Sequence, residues 1–181
     1  AMVTPSQGRS GQVIAPGGLS DLAKESVTNI SAVVKKLTGK DIKDYDLHVQ
    51  FPGTHNVDGD SASITMATAI ISAFEGVPID QNLAMTGSLS VRGEVLPIGG
   101  VSAKIEAAVK SGIERVVIPR SNLQDVLIDE KYESMVEIIA VDSLDEVLEH
   151  ALVGEQEKVS LVERLAKVID TFSASSDSTL A

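Results

Sequence analysis

Residues 61–76, SASITMATAIISAFEG, carry a single charged side chain, Glu75, across a stretch of helical composition. A helix so poor in charge offers water no polar face and belongs in the interior. The elements that cover it must come from the segments on either side. With 43% hydrophobic and only 3% aromatic residues, those segments build their core from Val, Ile, Leu and Ala. A chain of 181 residues is long enough to do so without a metal or disulfide.

Residues 1–18 are rich in Gly, Pro and Ser and are expected to form an irregular or edge segment ahead of a main domain spanning 19–153. In LSDLAKESVTNISAVVKKLTG, Leu19, Leu22, Ala23, Val27, Ile30, Val33, Val34 and Leu37 recur at helical spacing. Ser20 is placed to cap that helix and Gly39 to stop it. DLHVQF sets Leu47, Val49 and Phe51 against His48 and Gln50, the alternation of a strand. AMTGSLSVRGEVLPIGG predicts a β-hairpin turning near Arg92 and Gly93. VSAKIEAAVKSG is a helix closed by Gly112, RVVIP a buried strand, SNLQDVLI a helix, VEIIAV a strand and SLDEVLEHAL a helix. Residues 154–181 are expected to hold an amphipathic helix and a disordered tail. The fold class is α/β (α+β), with the strand order open.

The net charge of −11 argues against a ligand bound through a phosphate backbone. Nucleic-acid binding rests on Lys and Arg neutralising phosphates, and no basic cluster is present. Gly39 and Lys40 are followed by Asp41 and lack the upstream glycine of a phosphate-binding loop, so no ATP site is expected here. The absence of cysteine removes disulfides, thiolate nucleophiles and thiolate metal sites. No secretory signal is visible, and no apolar run of about 18 residues is present to span a membrane.

NVDGDSASITMATAI, residues 56–70, has the form of a nucleophile turn, with Ser61 just ahead of the helix. A serine nucleophile needs a base. Of the three histidines, His48 lies on the polar side of a strand and His150 in the last turn of a helix, both read as structural. His55, six residues before the serine, is a weaker candidate than a lysine. A lysine serves only when neutral, and desolvation beside an apolar wall lowers its pKa toward that state. In GVSAKIEAAVKSG, Val101, Ile105, Ala108 and Val109 share a helical face, Lys104 borders it, and Lys110 falls nearly opposite. Taken on periodicity alone, a snorkelling side chain at a helix boundary is the better explanation of Lys104.

DGDSAS, followed by AMTGSLSVRGEVLPIGGVSAKIEAA and GIERVVIP, closely resembles the proteolytic domain of Lon proteases, which use a Ser-Lys dyad. The resemblance runs from about DLHVQF to SLDEVLEHAL. It implies that Ser61 is the nucleophile, that Lys104 of GGVSAK is the base, and that Thr86 of AMTG stands beside the dyad and bonds the lysine amine. The residue-level alternative for Thr86 is a hairpin threonine chosen for β-propensity. The resemblance further implies a compact fold with a mixed β-sheet, a β-hairpin and packed helices. Its activity would be a serine endopeptidase acting on unfolded or damaged proteins, in a homo-hexameric ring and with no cofactor in this domain. The resemblance also implies ATP and Mg for an AAA+ ATPase module absent from this chain, and a cytoplasmic setting. GDSAS differs from the common bacterial GPSAG at Asp60 and Ser63 and is similar to the archaeal type of Lon, whose membrane anchor belongs to the ATPase module.

The acids beside Ser61 admit two readings. A carboxylate at Lys104 favours the ammonium and opposes base catalysis, so Asp58 or Asp60 could pair with Lys104 in a resting state. The simpler and favoured reading has Asp60 capping the helix and Asp58 solvated in its loop. Backbone N–H groups at the start of the helix, with Gly59 and Asp60 as further contributors, are expected to face the oxyanion. Substrate is expected to add as a strand to a sheet edge. Three rivals stand beside the protease: a non-proteolytic, ring-forming Lon-like module of an AAA+ type ATPase, an RNA-binding domain of related core, and a hydrolase using His55.

Overall fold

The computed structural model describes residues 1–6, 10–15, 21–51, 59–154 and 161–163. The low-charge segment is helix α2 (Ser63–Glu75), with Ser63, Ile64, Met66, Ala67, Thr68, Ile70 and Ile71 buried. Its cover comes from four directions: helix α1 (Asp21–Thr38), strand β1 (Met2–Pro5), strand β5 (Ser88–Leu89) and helix α5 (Leu144–Ala151). Ile64, Ile70 and Ile71 have no exposed surface. Each contributes about 1.5–3 kcal/mol by leaving water, which is why this helix organises the domain.

The C-terminal end of α2 is closed twice. Gly76 takes a left-handed conformation (φ 70°), which suits a residue without Cβ, and its N–H returns to the Ser72 carbonyl. Lys40 Nζ then donates to the Phe74 carbonyl at 2.7 Å and meets Glu75 Oε1 at 3.2 Å. A cation there complements the helix dipole. Gly39, with φ 71°, ends α1 as expected. Val27, Ile30, Val33, Val34 and Leu37 form the buried stripe of that helix, while Leu19 and the Ser20 cap lie outside the described residues.

The described strands form three small sheets. In the first, β1 lies antiparallel and β2 (Val13–Ile14) parallel on either side of β3 (Tyr45–His48). The N-terminal segment thus supplies both edges of a sheet. Strand β3 stops at His48, short of the Phe51 expected from alternation. Its neighbour β2 ends at Ile14, whose carbonyl takes the Val49 N–H, and beyond that point no strand partner is present among the described residues. Leu47 and Val49 are buried as expected.

The second sheet is parallel, in the order β4 (Leu83–Met85), β7 (Arg115–Pro119), β8 (Glu137–Val141). Its central strand is apolar on both faces, as a covered parallel strand must be. Val117 faces the main core around α2, whereas Val116 and Ile118 meet Val101 and Ile105 of helix α3 (Val101–Lys110). The third is the hairpin β5–β6 (Val95–Leu96), pairing Ser88 with Leu96 and Leu89 with Val95. The turn at Arg92 and Gly93 is where the sequence puts it, with Gly93 at φ 93°. The first residues of AMTGSLS, however, belong to β4 in the parallel sheet.

SNLQDVLI is not an α-helix. Residues Arg120–Asp125 form a 3-10 turn. The Asn122 side chain is committed elsewhere, accepting from Ile98 N–H at 2.9 Å and donating to the Ile98 carbonyl at 3.0 Å. That tertiary clamp outweighs helical periodicity. A short helix α4 (Glu130–Glu133), capped by Asp129, was not anticipated. Of the expected C-terminal helix, residues 161–163 are described and are helical, with Leu161 in the core; residues 155–160 and 164–181 lie outside the described residues. No helix among the described residues is long and apolar enough to cross a membrane.

Candidate active site

Ser61 sits in a turn two residues ahead of α2, where the chain enters the core. Its carbonyl accepts from Gly87 N–H at 2.8 Å and from Thr86 Oγ1 at 3.1 Å. The Gly87 carbonyl accepts in return from Ile64 N–H at 3.2 Å. The segment following β4 thereby clamps the turn from both sides. Gly87 suits this approach. A Cβ there would lie 3.0 Å from Ile64 Cδ1 and 3.1 Å from Val95 Cγ1, so both side chains would have to give by a few tenths of an ångström.

Lys104 arrives from the other side of the parallel sheet. Gly100, at φ 69°, turns the chain into α3 in a left-handed conformation that other residues adopt only with strain, and its carbonyl takes the Lys104 N–H. Val101, Ile105 and Val109 are buried, Lys110 is exposed and paired with Glu106, and Lys104 is half-buried at the boundary. The helical spacing predicted each of these positions.

The three side chains meet. Lys104 Nζ lies 2.8 Å from Ser61 Oγ and 3.2 Å from Thr86 Oγ1. Thr86 is buried and tied to the central strand, its N–H donating to the Val117 carbonyl at 3.0 Å. It stands at the end of β4 rather than in the hairpin. Because the single hydroxyl proton of Thr86 goes to the Ser61 carbonyl, its oxygen can only accept from Lys104. A neutral amine that gives one N–H to Thr86 has a lone pair left to direct at Ser61.

Burial lowers the Lys104 pKa, and the Asp60 carboxylate opposes that shift by favouring the ammonium. Desolvation is the larger influence, so the amine is displaced toward the neutral form a base requires.

Asp60 does not cap α2, contrary to the favoured reading. The cap position is Ala62, which makes no side-chain bond. The Asp60 carboxylate instead accepts from Ser88 Oγ at 2.6 Å, and its carbonyl accepts from the N–H and hydroxyl of Ser63. The turn places Asp60 two residues ahead of the cap position, too early for its side chain to cap the helix. Nor is Asp60 ion-paired with Lys104, so its influence on the amine is through space. Gly59, at φ 82°, takes a conformation that favours glycine. Asp58 and His55 lie outside the described residues. His48 is in β3 and His150 in the last turn of α5. Ser63, Gly87 and Ser88 were missed as supports of the turn, although Gly87 belongs to the quoted AMTG motif and Ser63 is one of the two departures from GPSAG.

With this geometry established, comparison with known proteins identifies its class. Residues 2–154 match the model of the Lon protease (S16) C-terminal proteolytic domain, and the chain belongs to that family. Within it the similarity is to the archaeal type. The chain is 54% identical over 172 residues to the archaeal Lon protease of Methanothermobacter thermautotrophicus, covering 94% of this chain and 27% of that protein. It is 53% identical over 170 residues to the archaeal Lon protease of Archaeoglobus fulgidus, covering 93% and 27%. Against Lon protease 2 of Bacillus subtilis it is 47% identical over 133 residues, covering 74% of this chain and 23% of the relative. The chain therefore spans 27% of the length of its archaeal relatives in the first two comparisons.

Proposed function

We propose that this domain hydrolyses peptide bonds through an acyl-enzyme formed on Ser61, with Lys104 as general base and then general acid. Neutral Lys104 takes the proton from Ser61 Oγ as the oxygen attacks the scissile carbonyl. The resulting ammonium protonates the leaving amine. The regenerated amine then activates a water that releases the acyl group. Thr86 orients the lysine lone pair, as its hydrogen bonding requires. The contact of Lys104 Nζ with Ser61 Oγ at 2.8 Å, between residues far apart in sequence, is the observation that carries this reading.

Ser61 and Ala62 offer the oxyanion site. Their N–H groups have no backbone acceptor among the described residues. Backbone donors beside a serine at a helix start are suited to a developing alkoxide.

The substrates on this reading are unfolded or damaged proteins, bound as an added strand through backbone bonds. The protein would act as a hexamer in a cytoplasmic setting. A partner AAA+ ATPase module, using ATP and Mg, would unfold and deliver the chain. The share of the archaeal relatives that this chain does not span leaves room for such a module.

Degradation of casein by the full-length protein tests the proposal, with Ser61→Ala and Lys104→Ala beside the wild type. Both variants are expected to lose activity by on the order of 10⁴-fold, as units of one catalytic device do. Cleavage at the wild-type rate by either variant would overturn the assignment and favour a binding or scaffold role for the domain.

A further inference from the structure

We propose that Ser88 is a positioning residue that holds the Asp60 carboxylate away from the Lys104 amine, leaving the amine free to serve Ser61. The inference rests on the dyad reading above and adds a control on the same site.

Asp60 is the residue before the nucleophile. Its carbonyl is pinned by both donors of Ser63, so its side chain is left to rotate about a fixed backbone. That side chain has no cap to make, because the cap position of α2 is Ala62 and the helix begins at Ser63. Its hydrogen-bond partner is Ser88 Oγ, at 2.6 Å. Ser88 is 6% exposed and paired through β5 with Leu96 of β6, so its hydroxyl is presented from a fixed position. It lies two residues after Thr86, the residue that orients the lysine. One short segment therefore handles both the base and the acid that would disable it.

Released from Ser88, an aspartate adjacent to Ser61 has an obvious partner, since Lys104 already touches Ser61 Oγ. An ion pair would keep the amine protonated and without a lone pair. The other charges on elements around α3 are engaged elsewhere. Glu106 holds Lys110, Arg115 holds Asp80 and Glu137, Arg120 holds Asp142, and Asp125 accepts from Asn122. Asp60 is the charged group among the described residues whose field acts on Lys104.

The test is the pH dependence of cleavage of a small unstructured fluorogenic peptide by the full-length protein. Activity rises with pH as Lys104 loses its proton, and the midpoint of that rise is the readout. Ser88→Ala is expected to move the midpoint up by about one unit, slowing cleavage about tenfold at a fixed pH below it, with the rate recovering at higher pH. Asp60→Asn is expected to move it down. The double variant Ser88→Ala/Asp60→Asn should match Asp60→Asn alone, because Ser88 has nothing to restrain once the carboxylate is gone. Three results would overturn the proposal: an unmoved midpoint in Ser88→Ala, a loss of rate uniform across pH, or an upward shift that persists in the double variant. Failure of the dyad reading is separately visible, as Lys104→Ala would then retain activity.

Discussion

The two halves of the site are built differently. Lys104 and Thr86 stand on regular elements: a helix packed on the parallel sheet through Val101 and Ile105, and a strand end bonded to Val117. Ser61 stands in a turn outside any helix or strand, held by individual bonds from Thr86, Gly87 and, through Asp60, Ser63. Lys104 is positioned by packing shared among many side chains, so no single surface change should move it far. Ser61 is positioned by a few named contacts, each of which can be removed.

Substitutions on the clamp are the sharpest way to test that contrast. Gly87→Ala should have the largest effect. Its Cβ would push on Ile64 and Val95, costing about 1–3 kcal/mol of stability. Displacing the Ser61 turn by even about 1 Å should lower kcat on the order of a hundredfold. Thermal unfolding and peptide cleavage would report both, and a variant with normal kcat would show that the clamp is dispensable.

Thr86→Val tests the point where the two halves join. It keeps the buried shape but removes the hydroxyl that bonds both Ser61 and Lys104. A kcat fall of about tenfold or more with little change in KM is expected, from about 1–3 kcal/mol of lost hydrogen bonding. Thr86→Ser should recover most of the rate. An equal loss in the serine variant would assign the threonine a packing role instead.

The smallest effect is expected from Ser63→Ala, which deletes the hydroxyl bond to the Asp60 carbonyl while the Ser63 N–H continues to hold it. A stability loss of about 1 kcal/mol and a few-fold loss of rate are expected. An effect larger than that of Gly87→Ala would mean that the turn is held from within, by its own bonds, rather than by the segment after β4.

The same contrast governs what was legible. The buried stripe of α1, the burial of α2, the strand RVVIP and the boundary position of Lys104 all follow from periodicity, because each depends on which face of one element meets the core. The role of Asp60 did not follow. As a local choice an aspartate near a helix start is a good cap, and only the distant Ser88 gives its carboxylate another partner. Asn122 repeats the lesson, since its bonds to Ile98 convert an expected helix into a 3-10 turn.

By itself, then, the sequence determined the interior helix, the apolar strands and the family of the chain, since these reside in local patterns and motifs. The tertiary structure decided the strand order, the placement of Thr86 at the end of β4 beside the central strand, and the meeting of an amine with a hydroxyl there. Those outcomes depend on contacts between residues tens of positions apart, and such contacts exist only once β7 has been buried between α3 and the core around α2.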